Sequence, residues 1–267
     1  MAHSRNGVSL SVAGKVALIT GGSRGIGAAT VKMFCAAGAR VVFNYQKARA
    51  AAETLVSECG PEICAAVAAD LASPHDGEML VKATVDKFGR LDCLIANHGI
   101  WPPNDVPVDQ MSDEQWRQTI AINLDSVFGL IKQSVAQMKR QAANATGQTA
   151  RHIVIVSSTA GQRGEAFHCD YAASKGAVIS MVKGLSTELA RDRIYVNCVA
   201  PRWVATDMSS PALEDSKTRE GVFATIPLGR VGKPEEIAAP ILFLCTEHSG
   251  FMTGEILNVN GGAVLVG

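Results

Sequence analysis

The chain has 267 residues, of which 47% are hydrophobic and 19% are charged. This composition is ordinary for a globular protein, it excludes wholesale disorder, and the length suits one large α/β domain. The 25 basic residues balance the 25 acidic ones, so the net charge gives no reason to expect nucleic acid or an anionic membrane surface as a partner.

Apolar stretches along the chain are too short to cross a membrane. The longest, residues 63–69 and 237–245, are less than half of the about 20 residues that a spanning helix needs. Residues 1–11 are mostly polar, and without an apolar segment they predict no secretory signal.

The chain has seven cysteines at scattered positions, and no two of them form a C-x-x-C pair. Its six histidines show no H-x-x-x-H spacing. These patterns indicate reduced thiols in a cytoplasmic protein rather than a disulfide framework or a zinc site. We therefore expect no metal.

Short β-branched segments alternate with helical stretches along the chain. After a frayed extension over residues 1–12, the expected strands cover 16–19, 40–43, 63–69, 91–96, 152–157, 195–199 and 255–259. The expected helices cover 26–37, 48–58, 78–88, 112 to about 140, 171–191 and 234–245. Ser112 and Gln115 fit a capping box at the start of the fourth helix.

This alternation is typical of a buried parallel sheet with helices on both faces. It predicts a doubly wound α/β fold, the Rossmann arrangement, as a single domain over residues 13–267. Residues 205–221 are polar and follow no clear period, so we expect them to form a mobile flap over the substrate.

A glycine-rich turn, Thr20-Gly-Gly-Ser-Arg-Gly-Ile-Gly27, joins the first strand to the first helix. Glycines at such a turn let the backbone approach a pyrophosphate, and the helix that follows offers free N–H groups and a positive dipole end. The strand–turn–helix context favours a dinucleotide site over a tight turn without a ligand.

The end of the second strand bears on the choice of nucleotide. Residues 43–47 read Phe-Asn-Tyr-Gln-Lys, without the carboxylate that holds the ribose 2′-hydroxyl of NAD. A 2′-phosphate needs a nearby cation, and Arg24 and Lys47 are the candidates, the alternative being that they are solvated surface charges. The sequence therefore favours NADP(H) over NAD.

Tyr171 and Lys175 are four residues apart on a predicted helix, so they share one face. A nearby ammonium group favours the phenolate and lowers the pKa of tyrosine from its usual value near 10, so the pair can act as general acid or base. On an arbitrary helix such a pair is usually a surface contact. Here Ser158 closes the fifth strand, at the edge where ligands bind in this architecture, with Ser157 as the competing choice.

Together these motifs resemble the short-chain dehydrogenase/reductase family. The turn has the family spacing T-G-x-x-x-G-x-G, and matching landmarks are Asp70-Leu71, Asn97-x-Gly99, Tyr-x-x-x-Lys at 171–175, Pro-Leu-Gly-Arg at 227–230 and Asn-Gly-Gly at 260–262. The resemblance extends from Gly14 to Gly262 and points to the 3-oxoacyl-carrier-protein-reductase-like branch.

The resemblance also implies roles for individual residues. Tyr171 is implied as general acid/base, Ser158 rather than Ser157 as the substrate-binding hydroxyl, and Lys175 as a further ligand of the nicotinamide ribose. Asn123 is implied to hold a water that links the lysine to solvent, the alternative being an amide that kinks or caps the helix. The implied cofactor contacts, besides Tyr171 and Lys175, are Gly21, Ser23, Arg24, Gly25, Ile26, Gly27, Asn44, Tyr45, Asp70, Leu71, Asn97, Gly99, Pro201, Val204 and Thr206.

The implied reaction is direct hydride transfer between C4 of the nicotinamide and a carbonyl carbon. The chain is then an NADP(H)-dependent reductase of ketones or aldehydes, or a dehydrogenase of the matching secondary alcohols. The alternatives are an NAD-dependent alcohol dehydrogenase, a nucleotide-binding regulator without turnover, and a non-redox lyase or epimerase. The expected partner is a small-molecule substrate, and the resemblance implies a homo-oligomer, either a tetramer or a dimer.

Some residues depart from the family pattern. His98 stands where a small residue is usual, and it either lines the pocket or packs under the cofactor. Arg202 follows Pro201 where glycine is usual, so Arg202 and Trp203 are expected to influence substrate choice. The side chains expected around an apolar, roomy pocket are Trp101, Phe167, His168, Trp203 and Met208.

Overall fold

The computed structural model describes residues 9–143 and 149–266. Its strands are β1 (Val16–Ile19), β2 (Arg40–Tyr45), β3 (Cys64–Ala68), β4 (Cys93–Ala96), β5 (Arg151–Val156), β6 (Ile194–Pro201) and β7 (Ile256–Val259). They form one sheet in the order β3-β2-β1-β4-β5-β6-β7, and each neighbouring pair is parallel.

Helices connect the strands and cover both faces of the sheet. They are α1 (Gly25–Ala36), α2 (Arg49–Cys59), α3 (Asp76–Phe88), α4 (Asp113–Ile120), α5 (Ser126–Ala143), α6 (Ala160–Arg163), α7 (Cys169–Leu189), α8 (Ser210–Glu214), α9 (Ser216–Ala224) and α10 (Pro234–Leu244). None of the described helices is both long enough and apolar enough to pass through a membrane.

The alternation of side chains along each strand builds two cores, one on each side of the sheet. In β1, Ala17 and Ile19 pack into the core beneath α1, α2 and α10. Val16 and Leu18 pack into the other core, beneath α3, α5 and α7. All four side chains are fully buried, which explains the unbroken apolar runs in the sequence and confirms the predicted doubly wound fold.

The predicted fourth helix is interrupted by a wider turn. Ser112 caps its start by accepting a hydrogen bond from the Gln115 N–H at 3.1 Å. Residues Ala121–Asp125 then form a π-helical turn between α4 and α5. π-Helical turns often occur at functional sites, and this one contains Asn123.

Two sequence-based boundaries differ from the structure. Val12, which we expected in the frayed extension, is buried, and its N–H donates to the Ala37 carbonyl at 3.1 Å; residues 1–8 of that extension lie outside the described residues. The segment 205–221, expected to form a mobile flap, contains α8 and most of α9, and Asp215 caps α9 by accepting from the Thr218 N–H. Short polar helices escaped the sequence analysis because they have too few apolar positions to show a period.

Candidate active site

The candidate site lies where β1, β4, β5 and β6 end. The strand order reverses between β1 and β4, and in open α/β sheets ligands bind at the carboxyl ends of the strands beside such a reversal. The segments that follow these four strands carry the glycine turn, the Asn97–Gly99 loop, Ser158 and residues 201–206. The fold thus brings together the separated motifs of the sequence.

The glycine turn is shaped for a close backbone approach. Gly21 and Gly25 have φ angles of +62° and +54°, which L side chains rarely adopt. A Cβ on Gly27 would lie 2.0 Å from the Gly21 carbonyl oxygen, so only glycine fits there. Helix α1 begins at Gly25, and no side chain within the described part of the chain caps its first turn. Its N–H groups therefore remain available to an anion.

Two residues predicted to contact the cofactor, Asn44 and Asn97, use their side-chain amides to support the turn. The Asn97 side chain donates to the carbonyls of Thr20 at 3.0 Å and Gly21 at 3.3 Å. The Asn44 side chain accepts from the Gly21 N–H at 2.8 Å and donates to the Ala69 carbonyl at 3.1 Å. Both side chains therefore position the backbone that faces the ligand.

The other residues predicted to contact the cofactor differ in how far their side chains are exposed to solvent. Arg24 is exposed, and its guanidinium lies 3.4 Å from an Asp207 carboxylate oxygen. Asp70 is exposed and Leu71 is buried, whereas Ser23, Ile26 and Tyr45 are half-buried. Lys47 is exposed, as expected for a solvated charge.

The segment after β6 closes this side of the site. Pro201 ends β6, and its carbonyl accepts from the Thr159 N–H at 3.0 Å. Val204 is buried, and a Cβ on Gly25 would lie 3.0 Å from the Thr206 methyl carbon. Thr206 therefore lies directly against the glycine turn, at the start of the predicted flap.

Lys175 lies within the protein beside the predicted catalytic tyrosine. Its side chain is buried, its Nζ donates to the Val156 carbonyl at 2.9 Å, and it is 5.8 Å from the centre of the Tyr171 ring. Burial lowers the pKa of Lys175 to about 8, against the opposing effect of Cys198. The lysine therefore titrates close to neutral pH.

The pKa of Tyr171 shifts in the direction opposite to our expectation. Burial raises it to about 12, Glu165 adds to the rise, and a hydrogen bond with Ser158 opposes it. In the protein alone, desolvation of the phenol thus outweighs any stabilisation of the phenolate by Lys175. Tyr171 is consequently protonated at neutral pH and can donate a proton.

The structure distinguishes the two candidate serines. The Ser157 hydroxyl is buried and donates to the Lys175 backbone carbonyl at 2.8 Å. Ser158 is half-buried, interacts with the Tyr171 hydroxyl and accepts from the Ala160 N–H at 3.2 Å. Ser157 therefore packs α7 against β5, and Ser158 is the hydroxyl beside the tyrosine.

Asn123 connects the π-helical turn to the loop after β4. Its Oδ1 accepts from the Ile100 N–H at 2.8 Å, and its Nδ2 donates to the Ile100 carbonyl at 3.0 Å and to Ser174 at 3.2 Å. A Cβ on Gly99 would lie 3.1 Å from Asn123 Oδ1 and 3.3 Å from Lys175 Nζ. Gly99 thus lets the loop approach both predicted catalytic residues.

His98 is a support beneath the site. Its Nδ1 lies 2.7 Å from the Thr20 hydroxyl, and its Nε2 lies 2.7 Å from the Ser126 hydroxyl. Ser126 donates its own proton to the Ile122 carbonyl, so Nε2 carries the proton and Nδ1 accepts from Thr20. Burial, and then the charge of Lys175, lower the pKa of His98 to about 3.

The neutrality of His98 predicts a loss of stability in acid. An unfolded histidine takes up a proton near its ordinary pKa of 6.5, whereas folded His98 remains neutral down to about 3. The unfolded chain therefore binds more protons between these values, and the free energy of unfolding falls as the pH drops through this window. We expect His98 to contribute a loss of about 2 kcal/mol near pH ~5.

His98→Ala is the comparison that isolates this contribution. At neutral pH the variant should be less stable by about 1–3 kcal/mol, because two hydroxyls lose their partner. Near pH ~5 the stability gap should narrow by about 2 kcal/mol, as measured by urea unfolding of both proteins. His152, whose pKa burial lowers to about 3, contributes equally to both proteins and cancels. A gap that does not change with pH would contradict the assignment.

The side of the site where the substrate is expected contains three aromatic rings in contact. The ring centroids of Trp101 and His168 are 3.9 Å apart, with the two rings tilted by 40°. The Trp101 and Tyr171 rings meet edge-on, with their centroids 4.8 Å apart. His168 is buried and lies 3.0 Å from an Asp105 carboxylate oxygen. Phe167 and Met208 are exposed and Trp203 is half-buried, so the five predicted pocket residues do not form one closed aromatic wall.

A cavity of about 460 Å³ adjoins Trp101, between the loop after β4 and helix α4. Polar side chains make up much of its lining, which shares Trp101 with the five residues expected around the substrate. The lining residues are Ile100, Trp101, Pro102, Pro103, Asn104, Ser112, Glu114, Gln115, Gln118 and Thr119. The polar lining comes from the exposed first turns of α4, whose orientation toward the loop was not evident in the sequence.

Two carboxylates near the site were missed by the sequence analysis. Buried Asp170 accepts from Thr119 at 2.9 Å and from Gln115 at 3.1 Å, which joins α7 to α4. Glu165 accepts from Arg202 at 3.2 Å and from Arg163 at 2.6 Å. The position of Asp170 directly before Tyr171 was a signal in the sequence that it lies near the site. No such signal marked Glu165.

An open glycine turn next to a tyrosine, a lysine and a serine defines a nicotinamide-dependent oxidoreductase of the Rossmann class. The family model described as enoyl-(acyl carrier protein) reductase matches residues 21–264. The chain belongs to the short-chain dehydrogenase/reductase family, and within it resembles the 3-oxoacyl-carrier-protein reductases. Like its relatives, it is an oxidoreductase that acts on C=O or CH–OH groups.

Relatives of known name cover nearly the whole chain. The chain is 38% identical to the 3-oxoacyl-[acyl-carrier-protein] reductase of Synechocystis over 94% of its length and 97% of that protein. It is 37% identical to the L-fucose dehydrogenase of Mus musculus over 94% of its length and 89% of that protein.

Solved structures of similar proteins include ones with a bound nucleotide. A 3-ketoacyl-(acyl-carrier-protein) reductase of Brucella melitensis complexed with NADH has a TM-score of 0.86 and 32% identity, covering 96% of this chain and 100% of that one. The Pseudomonas aeruginosa RhlG/NADP active-site complex has a TM-score of 0.86 and 33% identity, covering 96% and 98%.

Proposed function

We propose that this protein reduces a ketone or aldehyde with NADPH by direct hydride transfer, with Tyr171 as the proton donor. The observation that carries the proposal is the convergence of Tyr171, Ser158 and Lys175 at the sheet edge beside the glycine turn. The raised pKa of Tyr171 keeps its proton available for a carbonyl oxygen that becomes an alcohol.

The glycine turn fits a dinucleotide. The turn has no room for a Cβ on Gly27, and the Arg24 side chain does not cap the first turn of α1. Both features suit a pyrophosphate bound against the backbone of the turn. The nicotinamide supplies the hydride when it is bound. The remaining steps belong to protein groups: Ser158 and Tyr171 hold the carbonyl oxygen, Tyr171 releases its proton to it, and Lys175 binds the nicotinamide ribose.

The same pKa values suit Tyr171 to the role of proton donor. A tyrosine with a pKa of about 12 is a poor base at neutral pH but holds its proton until a strongly basic oxygen develops. Lys175, with a pKa of about 8, remains largely cationic at neutral pH and stabilises the phenolate that forms after proton transfer. To oxidise an alcohol, Tyr171 would have to be a phenolate before the reaction begins. The positive charge of a bound oxidised nicotinamide would favour that phenolate.

The choice of NADP(H) rests on the environment of Arg24. The second strand ends without a carboxylate for a 2′-hydroxyl, and Arg24 is exposed at the glycine turn. Its contact with Asp207 at 3.4 Å joins two exposed side chains, and such pairs are weak. A 2′-phosphate can therefore replace Asp207 as the partner of this guanidinium.

The test is a panel of ketones and aldehydes incubated with the protein and either NADPH or NADH. We expect loss of the reduced nucleotide's absorbance with at least one substrate, and a higher kcat/KM for NADPH. Arg24→Ala should lower kcat/KM for NADPH while leaving that for NADH unchanged. A preference for NADH in the native protein would contradict the assignment to NADP, and product formation without net loss of either nucleotide would indicate a non-redox lyase or epimerase.

A further inference from the structure

Three cysteines from separate parts of the chain meet on the face of the sheet covered by α1 and α2. Cys35 lies in α1, Cys59 ends α2, and Cys64 begins β3. Their three Sγ atoms all lie within 4.8 Å of one another. The sequence predicted no metal site because no two cysteines form a C-x-x-C pair, but the fold gathers three.

The surroundings of these sulfurs disfavour negative charge. Cys35 and Cys64 are buried in the apolar core with Leu55 and Val41. Contact with the Cys64 sulfur, and then burial, raise the pKa of Cys35. Burial raises the pKa of Cys59 to about 11. Because these surroundings are apolar, an ion that left several uncompensated thiolates there would incur a large desolvation cost.

We propose that Cys35, Cys59 and Cys64 form a binding site for one trivalent arsenic atom, taken up from arsenite through three sulfur bonds. In this exchange arsenous acid loses its three hydroxyl groups and the thiols lose three protons, which leave as three water molecules. Three As–O and three S–H bonds break, three As–S and three O–H bonds form, and no electrons are transferred.

Charge balance selects this element over other thiophilic ions. Three thiolates around Cu⁺ or Zn²⁺ leave a net negative charge, whereas three thiolates around trivalent arsenic leave none. A neutral complex suits a site that lies in the apolar core. A ligand set of three soft sulfur atoms also favours a thiophilic element.

The geometry allows the complex with small movements. Bonds of about 2.3 Å to sulfur, the length found for zinc–thiolate bonds, place three sulfurs roughly 3.5–4 Å apart, so the present spacing of up to 4.8 Å must shrink by no more than about 1.3 Å. Cys59 is half-buried and is the last residue of α2. It gives the ligand an entry from solvent, beside the ion pair of Lys32 and Glu58.

The experiment adds arsenite to the fully reduced protein and measures the bound product by intact mass spectrometry and arsenic X-ray absorption. The expected adduct is one arsenic atom minus three hydrogens per chain, with three sulfur neighbours and a raised thermal midpoint of unfolding. Cys35→Ser, Cys59→Ser and Cys64→Ser should each lose the three-sulfur adduct and the rise in midpoint. Cys169→Ser is the matched control, since Cys169 is also half-buried but lies outside the cluster, and it should retain both.

Several results would overturn the proposal. These are an adduct that survives in the three cluster variants, coordination by two sulfurs in the native protein, or binding of Zn²⁺ or Cu⁺ with no binding of arsenite. None of these measurements uses carbonyl reduction. Failure of the arsenic site therefore leaves the proposed reductase function untouched, and the reverse also holds.

Discussion

Tyr171→Phe should lower kcat for carbonyl reduction by about 10²–10⁴-fold without weakening nucleotide binding. The substitution removes only the hydroxyl that carries the proton, and the ring contact with Trp101 at 4.8 Å is retained. KM for the nucleotide should therefore stay constant while kcat falls. Steady-state kinetics with the best substrate of the panel, together with fluorescence titration of NADPH, measures both quantities.

Tyr195→Phe is the matched control for that variant. Tyr195 is the second residue of β6, at the end of the sheet opposite the glycine turn. Its ring meets the His152 ring edge-on, with the ring centroids 5.7 Å apart. Its hydroxyl has no role in the proposed chemistry, so kcat should be unchanged. Native-like turnover in Tyr171→Phe, or an equal loss in both variants, would reject Tyr171 as the proton donor.

Gly27→Ala should weaken nucleotide binding roughly 10- to 100-fold, which corresponds to about 1.4–2.8 kcal/mol. The added Cβ would lie 2.0 Å from the Gly21 carbonyl oxygen and 2.8 Å from Asn97 Nδ2. Neither can move without displacing the turn that faces the pyrophosphate. Calorimetric or fluorescence titration with NADPH measures the change, and circular dichroism establishes that the variant is folded.

Gly184→Ala provides the same chemical change where it should do no harm. Gly184 lies in the middle of α7, and a Cβ there meets no atom within 4 Å. Alanine is the better helix former by about 1 kcal/mol, so we expect equal or slightly higher stability and unchanged nucleotide affinity. If both variants lost affinity equally, the steric account of Gly27 would fail.

The sheet was predictable because its signals are local. β1 matches its predicted bounds, and the other strands differ by at most two residues at either end, since parallel strands buried on both faces appear as unbroken apolar runs. The turn at residues 20–27 and the pair Tyr171 and Lys175 were found in the same way. Spacing along one helix or one turn determines which side chains share a face.

Contacts between distant segments were not predictable. Nothing near Asn44 or Asn97 in the sequence shows that their amides hydrogen-bond to the backbone of the turn. The direction of the Tyr171 pKa shift depends on how much of the fold buries the phenol, which spacing to Lys175 does not reveal. The thiols of Cys35, Cys59 and Cys64 are likewise brought together only by the packing of α1 and α2 on β3.

The π-helical turn at Ala121–Asp125 joins α4 and α5 into one continuous helical rod. The two parts of this rod pack against different neighbours. In an α-helix each residue advances the direction of a side chain by about 100°, so one additional residue rotates the two halves of the rod relative to each other. Thr119 ahead of the turn can then point at Asp170, while Leu130 beyond it points into the core. The widened turn therefore lies between a part of the rod that contacts the tyrosine-bearing helix and a part that packs into the core under the sheet.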